Sequence, residues 1–461
     1  MRDLDVYLHG EMVARVTFNA GGTPSMHYVS DDALALSLSL PNDGTKLKHS
    51  TVQRYFDNLL PDNVVTRRQW ADRFAAENGT RVNPNNPFAL LEYMGHDAAG
   101  AVQVLPQGKS PDRDADFVQV SSREIARRLA EARRVQGTPD AQRGHGAYSL
   151  AGAQSKFALT SFDGGRTFFE PTGANASTHI FKPELADYPD SDLVETISQR
   201  AGHLAGLDFA RTETLRVGGE NAVVSTRFDR EVTRRRGGFR VTRLHQEDFA
   251  QATGTRPQDK YQADGGPSAV QIARLLEQHA EHDSTLRFVD ALAYSWAIAS
   301  TDGHAKNCAL VYDQHHRPHL APVYDVCSYL PFEPARGERG PDGSLYTGPR
   351  LAMSIGGTNQ VDVIGERAWR DFAADAGLDE DEVLVRVVHV VHATAPAVDV
   401  AARPHLDRPV VRRLVDRVAE ETRRRAETLP APSSTGAVFV QAYVRADGTE
   451  VAAHYRDRPQ Q

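Results

Sequence analysis

Strand-type and helix-type segments are segregated along this chain, and that order excludes a regular strand–helix–strand alternation. Between Ser149 and Arg230, the runs Lys156–Phe162, Thr178–Lys182, Thr212–Val217 and Ala222–Phe228 read as strands around one helix, Asp190–Ala205. After Arg230 the apolar period becomes helical, through Leu275–His282, Thr285–Ser300, Arg367–Ala376, Glu380–Ala395 and Arg408–Leu429. Strands in one part and helices in the next predict an α+β fold. Upstream, Val6 to Phe18 reads as a hairpin about His9-Gly10, and Ala33–Leu40 as a second extended run. Val52–Leu60, Val64–Ala76, Pro87–Met94 and Ser122–Val135 read as helices, with a polar linker at Gln107–Asp116. The Gly/Gln/Arg-rich stretch Gln136–Gly146 is the predicted boundary. The units are then 1–135, 136–230 and 231–430, with a hairpin extension at 431–461 that turns at Ala446-Asp447-Gly448.

Composition narrows the function class. A length of 461 residues suits two or three compact units, and a net charge of −8 disfavours binding nucleic acid by phosphate neutralisation alone. The start, Met1 to His9, lacks the apolar centre of a secretory signal, and no run approaches the ~20 apolar residues that span a bilayer. Cys308 and Cys327 are too few for a disulfide framework, so a reducing cytoplasm is the expected compartment.

The chemistry concentrates in Thr301-Asp302-Gly303-His304-Ala305-Lys306-Asn307, directly after an apolar helix. Asp302 and Asn307 are spaced D-x-x-x-x-N, the pattern in which a kinase Asp takes a hydroxyl proton and the Asn holds Mg²⁺. Downstream, Val323-Tyr324-Asp325-Val326 offers Asp325 as a second hard oxygen ligand. The plain alternative is a surface turn at Asp302-Gly303 with Asn307 as a cap. A zinc site centred on His304 is weaker, because the two cysteines complete no ligand set. Upstream, Lys182 ends a strand and could meet phosphate oxygens, with Glu195 on the next helix as its partner. Ser149 to Lys156 is a small-residue turn entering a strand, suited to wrap phosphates with backbone amides, though it is no Walker A motif. An ordinary tight turn fits the same residues.

Five phrases, SLAGAQSK (149–156), TRFDR (226–230), RLHQEDF (243–249), TDGHAKN (301–307) and VYDV (323–326), come in an order that resembles the HipA family, kinase toxins of bacterial toxin–antitoxin modules. FDNLLP (56–61) and GHDAAGAVQ (95–103) resemble that family's amino-terminal region. The resemblance implies a bilobal protein-kinase-like fold with an added β-rich amino-terminal subdomain and a helical carboxyl-terminal lobe. It implies Asp302 as catalytic base, Asn307 and Asp325 as Mg²⁺ ligands, and Ala151, Gly152, Ala153, Gln154, Ser155 and Lys156 as the ATP phosphate loop. Lys182 matches the phosphate-contacting lysine, and Thr226, Arg227 and Phe228 the adenine hinge. His304 and Tyr324 fall within matched nucleotide-site motifs. Ser149 matches the autophosphorylated serine, where a doubly charged group would repel ATP phosphates.

The expected function is that of an ATP- and Mg²⁺-dependent serine/threonine protein kinase. Its expected target is a translation component, with an aminoacyl-tRNA synthetase the leading candidate, and its effect growth arrest. A HipB-like helix-turn-helix antitoxin would neutralise it and carry most operator DNA binding. Three other readings stay open: a non-enzymatic nucleotide-binding corepressor, a small-molecule kinase of the same fold, and a metal-dependent hydrolase built on Asp302 and His304. The 431–461 extension matches nothing in the family core. The Gly/Pro-rich loop Glu333–Arg350 and the arginine-dense helix Arg412–Arg425 carry no assignment from sequence.

Overall fold

The computed structural model describes residues 2–111, 116–136, 154–236, 238–334 and 346–431, and, farther on, 437–440, 442–444, 449–452 and 454–457. The amino-terminal unit is an antiparallel sheet in the order β3-β2-β1-β4, built from β1 (Leu4–Leu8), β2 (Glu11–Phe18), β3 (Pro24–Tyr28) and β4 (Val102–Pro106). The β1–β2 turn places both His9 and Gly10 at positive φ, the geometry that matches strand twist in a two-residue hairpin. Helices α1 (His49–Asn58), α2 (Val64–Asn78) and α3 (Pro87–Met94) accompany the sheet. Val52, Tyr55 and Phe56 of α1 and Phe88, Leu90 and Leu91 of α3 share one core with Leu4, Val6, Leu8 and Val104. Asn63 and Asn86 cap α2 and α3 through their side-chain oxygens, and Pro87 starts α3 where its missing N–H costs nothing.

The stretch 33–40, expected to be extended, forms turns with a single Ser37–Leu40 bridge. Its polar backbone has a different partner. Leu38 N–H donates to Glu247 Oε1 at 3.0 Å and the Ser37 hydroxyl donates to Glu247 Oε2.

A second antiparallel sheet, β6-β8-β10-β9, comprises β6 (Phe157–Leu159), β8 (His179–Pro183), β9 (Thr212–Val217) and β10 (Glu220–Thr226). Beside it β5 (Phe117–Val120) pairs with β7 (Phe168–Pro171). Helix α4 (Ser122–Gln136) buries Ile125 and Leu129 against Leu159, Phe168, Phe181, Ala222 and Val224 of this lobe. The boundary read at 136 therefore falls too late: β5 and α4 pack with the second sheet. The apolar face of α4 fits the lobe that follows it, and residues 137–146 lie outside the described residues.

Helix α5 (Ser191–Leu204) backs the second sheet, and a hairpin of β11 (Arg230–Arg235) and β12 (Gly238–Arg243) follows β10. The helical lobe opens with β13 (Gln246–Asp248) and the short α6 (Phe249–Ala252), then α7 (Ala269–His279) and α8 (His282–Ala297). Strands β14 (Ala309–Tyr312) and β15 (Pro318–Leu320) join β13 in a three-stranded sheet with β14 central. After the pair β16 (Arg350–Ile355) and β17 (Thr358–Gln360) come α9 (Glu366–Ala376), α10 (Glu380–Ala402) and α11 (Pro409–Glu427).

Helix α10 runs past the Ala395 end expected for it, and it is a described helix long and apolar enough to cross a bilayer, which the sequence reading did not anticipate. Here α5, α8, α9 and α11 surround it, so its apolar faces supply the lobe's core. The expected terminal hairpin is present as two antiparallel pairs, β18 (Ala437–Val440) with β21 (His454–Asp457) and β19 (Tyr443–Val444) with β20 (Glu450–Val451). Its turn residues, 446–448, lie outside the described residues.

Candidate active site

The apolar face of α8 anchors one side of the cleft. Beyond its end the chain turns through Ala299, a non-glycine at φ 50°, and the loop 300–304, then a single 3₁₀ turn, Ala305–Asn307, leads into β14. The loop is held by its own motif. The Asn307 side-chain N–H donates to the Asp302 carbonyl at 2.8 Å, and the His304 backbone N–H donates to the same oxygen at 2.8 Å. With its nitrogen so used, Asn307 presents its side-chain oxygen as the atom able to hold a hard cation. Asp302 is buried, and Tyr261 donates a 2.6 Å hydrogen bond to its Oδ1.

His304 lies beneath this loop, 1% exposed, with its ring edge-on to Tyr261 at 4.9 Å. Burial pushes its pKa down to about 4, so the imidazole is neutral, and neither ring nitrogen has a hydrogen-bond partner among the described residues. Its packing is that of a support for the loop at 300–304.

Facing the loop, β8 carries Lys182 and α5 carries Glu195. Lys182 Nζ donates to Glu195 Oε1 at 2.8 Å and also contacts Asp325 Oδ1. This three-residue ion chain joins the strand lobe to the helical lobe. Asp325 sits at φ 61°, a left-handed conformation that Asp tolerates better than most residues. Lys156 enters from the start of β6. It keeps an exposed surface, yet the surrounding protein and the neighbouring Lys182 ammonium lower its pKa to about 8. Gln154 donates through Nε2 to the Pro183 carbonyl at 2.6 Å, and Ser155 is buried. Ser149, Ala151, Gly152 and Ala153 lie outside the described residues.

At the exit of β10, the backbone N–H groups of Thr226 and Arg227 donate to the Arg211 and Thr178 carbonyls. The Arg227 guanidinium turns away from the cleft into a buried network, bonding Asp229, Ser177 and the Ala98 carbonyl. Phe228 packs on Tyr324, ring centres 5.3 Å apart, and the Tyr324 hydroxyl donates to the Lys306 carbonyl at 2.9 Å.

Two charge clusters went unread in the sequence. In one, Arg230 and Arg243 join Arg227 around Asp97 and Asp229, while Gly100 N–H donates to Asp229 at 2.7 Å. Burial raises the Asp97 pKa, but the three guanidiniums outweigh it and hold the carboxyl down at about 2. The signal was available: the GHDAAG, TRFDR and RLHQEDF phrases each place a charge here. In the other, Asp62 bonds Lys260 and Lys306. Only its position directly after FDNLLP hinted at it.

No three His, Cys, Asp or Glu side chains among the described residues converge as a ready-made metal site. The oxygens of Asn307 and Asp325 fit Mg²⁺ nonetheless, because that ion keeps few protein ligands and takes the rest from phosphate and water.

Comparison with known proteins agrees with this layout. Residues 4–105 match the HipA N-terminal domain, and residues 148–398 match the HipA-like C-terminal domain. Y4mE of Sinorhizobium fredii, named as a candidate kinase, is 31% identical over 410 residues, covering 86% of this chain and 91% of the relative. The serine/threonine-protein kinase toxin HipA of Shewanella oneidensis is 29% identical over 267 residues, 57% of this chain and 58% of the relative. Among solved structures, a chain of the Shewanella oneidensis complex of HipA, HipB and operator DNA superposes with a TM-score of 0.74 at 22% identity, covering 92% of this chain and 99% of that chain. That likeness shows the α+β, kinase-like fold.

Proposed function

This chain belongs to the HipA family, and from that premise we propose that it is a serine/threonine protein kinase that uses Mg-ATP. The observation that carries the reading is the meeting of Lys182, Glu195 and Asp325 across the two lobes, next to a loop that holds Asp302 and Asn307. Lys182 and Lys156 would face phosphate oxygens, with Glu195 keeping the Lys182 ammonium oriented. Mg²⁺, held by Asn307 and Asp325, would neutralise phosphate charge. Asp302, fixed by Tyr261 through Oδ1, would accept the proton of the acceptor hydroxyl. The Phe228–Tyr324 pair and the hinge backbone would flank the adenine.

By family, the acceptor is a component of the translation machinery, with an aminoacyl-tRNA synthetase the first candidate, and growth arrest the effect. The relative solved with HipB and operator DNA supports a HipB-like antitoxin as partner, contacting operator DNA mainly through the complex. The working compartment would be the cytoplasm. The retained Asp302, Asn307, Asp325 and Lys182 weigh against a corepressor without chemistry, which could lose them freely.

The test is intact-protein mass after incubation with Mg-ATP, wild type against Asp302→Asn, with phosphopeptide mapping and an ATP-binding measurement. Wild type is expected to gain phosphate, with Ser149 the expected position, while Asp302→Asn gains none yet binds ATP as well as wild type. Phosphate gained equally by Asp302→Asn would remove Asp302 as the base. A wild type that binds ATP yet transfers no phosphate to itself or to added protein acceptors would favour the corepressor, and one that does not bind ATP would overturn the kinase reading.

A further inference from the structure

Asp62 lies where the amino-terminal unit meets the catalytic loop, in the turn between α1 and the Asn63 cap of α2. Its Oδ1 accepts a hydrogen bond from Lys306 Nζ at 2.8 Å, and its Oδ2 accepts one from Lys260 Nζ at 2.9 Å. The three side chains are only 18%, 13% and 10% exposed. The turn beneath Asp62 is rigid: Arg67 donates to the Pro61 carbonyl at 2.5 Å and to Asp57 Oδ1 at 2.6 Å. Lys306 Nζ also reaches the Asn58 carbonyl at 3.4 Å.

The two lysines flank Asp302. Lys306 belongs to the loop itself, and its carbonyl accepts the Tyr324 hydroxyl. Lys260 precedes Tyr261, whose hydroxyl donates to Asp302, and the Lys260 carbonyl accepts the Ala305 N–H at 3.2 Å. One carboxylate therefore spans both stretches of chain that shape the surroundings of Asp302. It also balances two ammoniums held close to this loop, where Lys260, Asp62 and Asp302 all act on the buried His304. Despite its burial, the two lysines hold the Asp62 carboxyl well below the usual carboxylate range. Removing one partner of such a pair leaves the others charged and uncompensated.

We infer that Asp62 is a positioning residue for phosphoryl transfer, a carboxylate of the amino-terminal unit that clamps Lys260 and Lys306 and so keeps Asp302 oriented and free of a competing ammonium. The catalytic half of this inference rests on the kinase reading above; the clamp itself does not.

Two measurements on the full chain separate them. The first is amine labelling read by peptide mass spectrometry, without nucleotide, in wild type, Asp62→Asn and Asp62→Glu. In Asp62→Asn, Lys260 and Lys306 are expected to label several-fold faster, while Lys182, held by Glu195, is unchanged. Unchanged labelling of Lys260 and Lys306 would overturn the clamp. The second is phosphoryl transfer in the same variants. Asp62→Asn is expected to lower kcat about tenfold or more, with KM for Mg-ATP within about twofold of wild type. Asp62→Glu, which keeps the charge, is expected to recover part of the loss, and adding Lys306→Met to Asp62→Asn to recover part by removing one freed cation. A kcat near wild type in Asp62→Asn, or a loss shared equally by KM, would overturn the positioning role. A wild type without transfer would overturn the kinase reading and the catalytic half with it, while the labelling would still decide the clamp.

Discussion

Glu247 is fully buried where β13 meets the turn at 37–38 of the amino-terminal unit. It receives donors from Ser37, from Leu38 N–H and from the Tyr312 hydroxyl at 2.5 Å. Burial still outweighs them and pushes its pKa up from 4.5 to about 7. A carboxyl whose pKa is raised on folding contributes stability that is complete below about 4.5 and is lost as pH rises through 7. Replacing it with Gln removes that pH-dependent loss while retaining an oxygen acceptor. Glu247→Gln is therefore expected to gain stability relative to wild type between pH 5 and pH 8, by on the order of 1–3 kcal/mol. Denaturant midpoints of the two proteins at both pH values check this, and a constant difference would refute it. At this scale the sequence reveals residues whose partners are near in the chain or implied by a motif. Asp302 and Asn307 share one loop, and Lys182 and Glu195 are separated by a single strand-to-helix step. Asp62 is 244 residues from Lys306 and 198 from Lys260, so nothing local could announce its partners.

Among elements, the Gly95–Gly100 turn is the clearest case of geometry selecting a residue. Gly100 has φ +70°, and a Cβ there would stand 2.7 Å from the Gln246 nitrogen and 2.8 Å from its carbonyl oxygen. Gly10 has a similar φ, +83°, with open space around it. Both Gly→Ala changes carry the left-handed penalty of about 1–2 kcal/mol, but only Gly100→Ala also pushes the amino-terminal unit away from β13. Chemical denaturation should show Gly100→Ala as the more destabilised of the pair; equal losses would mean that the turn and β13 are not rigidly docked. The helices were legible because caps and Pro mark their ends, as at Asn86-Pro87 and Met94-Gly95. The run at 33–40 was not. Its apolar residues alternate as in a strand, yet its backbone groups bind a buried carboxylate and a tyrosine hydroxyl, which single-sequence periodicity cannot represent. The site of α4 was equally hidden, because an amphipathic helix does not declare which of two lobes covers its apolar face.

For the whole molecule, buried charge crosses the junction between the amino-terminal unit and the rest, Asp97 and Gly100 meeting Arg230, Arg243 and Asp229, and Asp62 meeting two lysines. Ions buried this way are poorly screened by salt, and separating the units would strand them without partners. Calorimetry is expected to show one cooperative transition for the amino-terminal unit and both lobes, with a midpoint that moves little between low and high NaCl. Two resolved transitions, or a steep salt dependence, would contradict a docked arrangement of this kind. Helix α5 adds a mechanical side to this. From Ser191 to Gln199 every residue is buried, and its apolar side belongs to the core of the helical lobe, while Glu195 holds Lys182 of the strand lobe. A helix so enclosed is a fixed axle between the lobes, and it cannot swing out as a lever without exposing that core. Any rearrangement around Lys182 must then act on the strands and turns about this axle, because pulling Glu195 away would first require melting the core of the larger lobe.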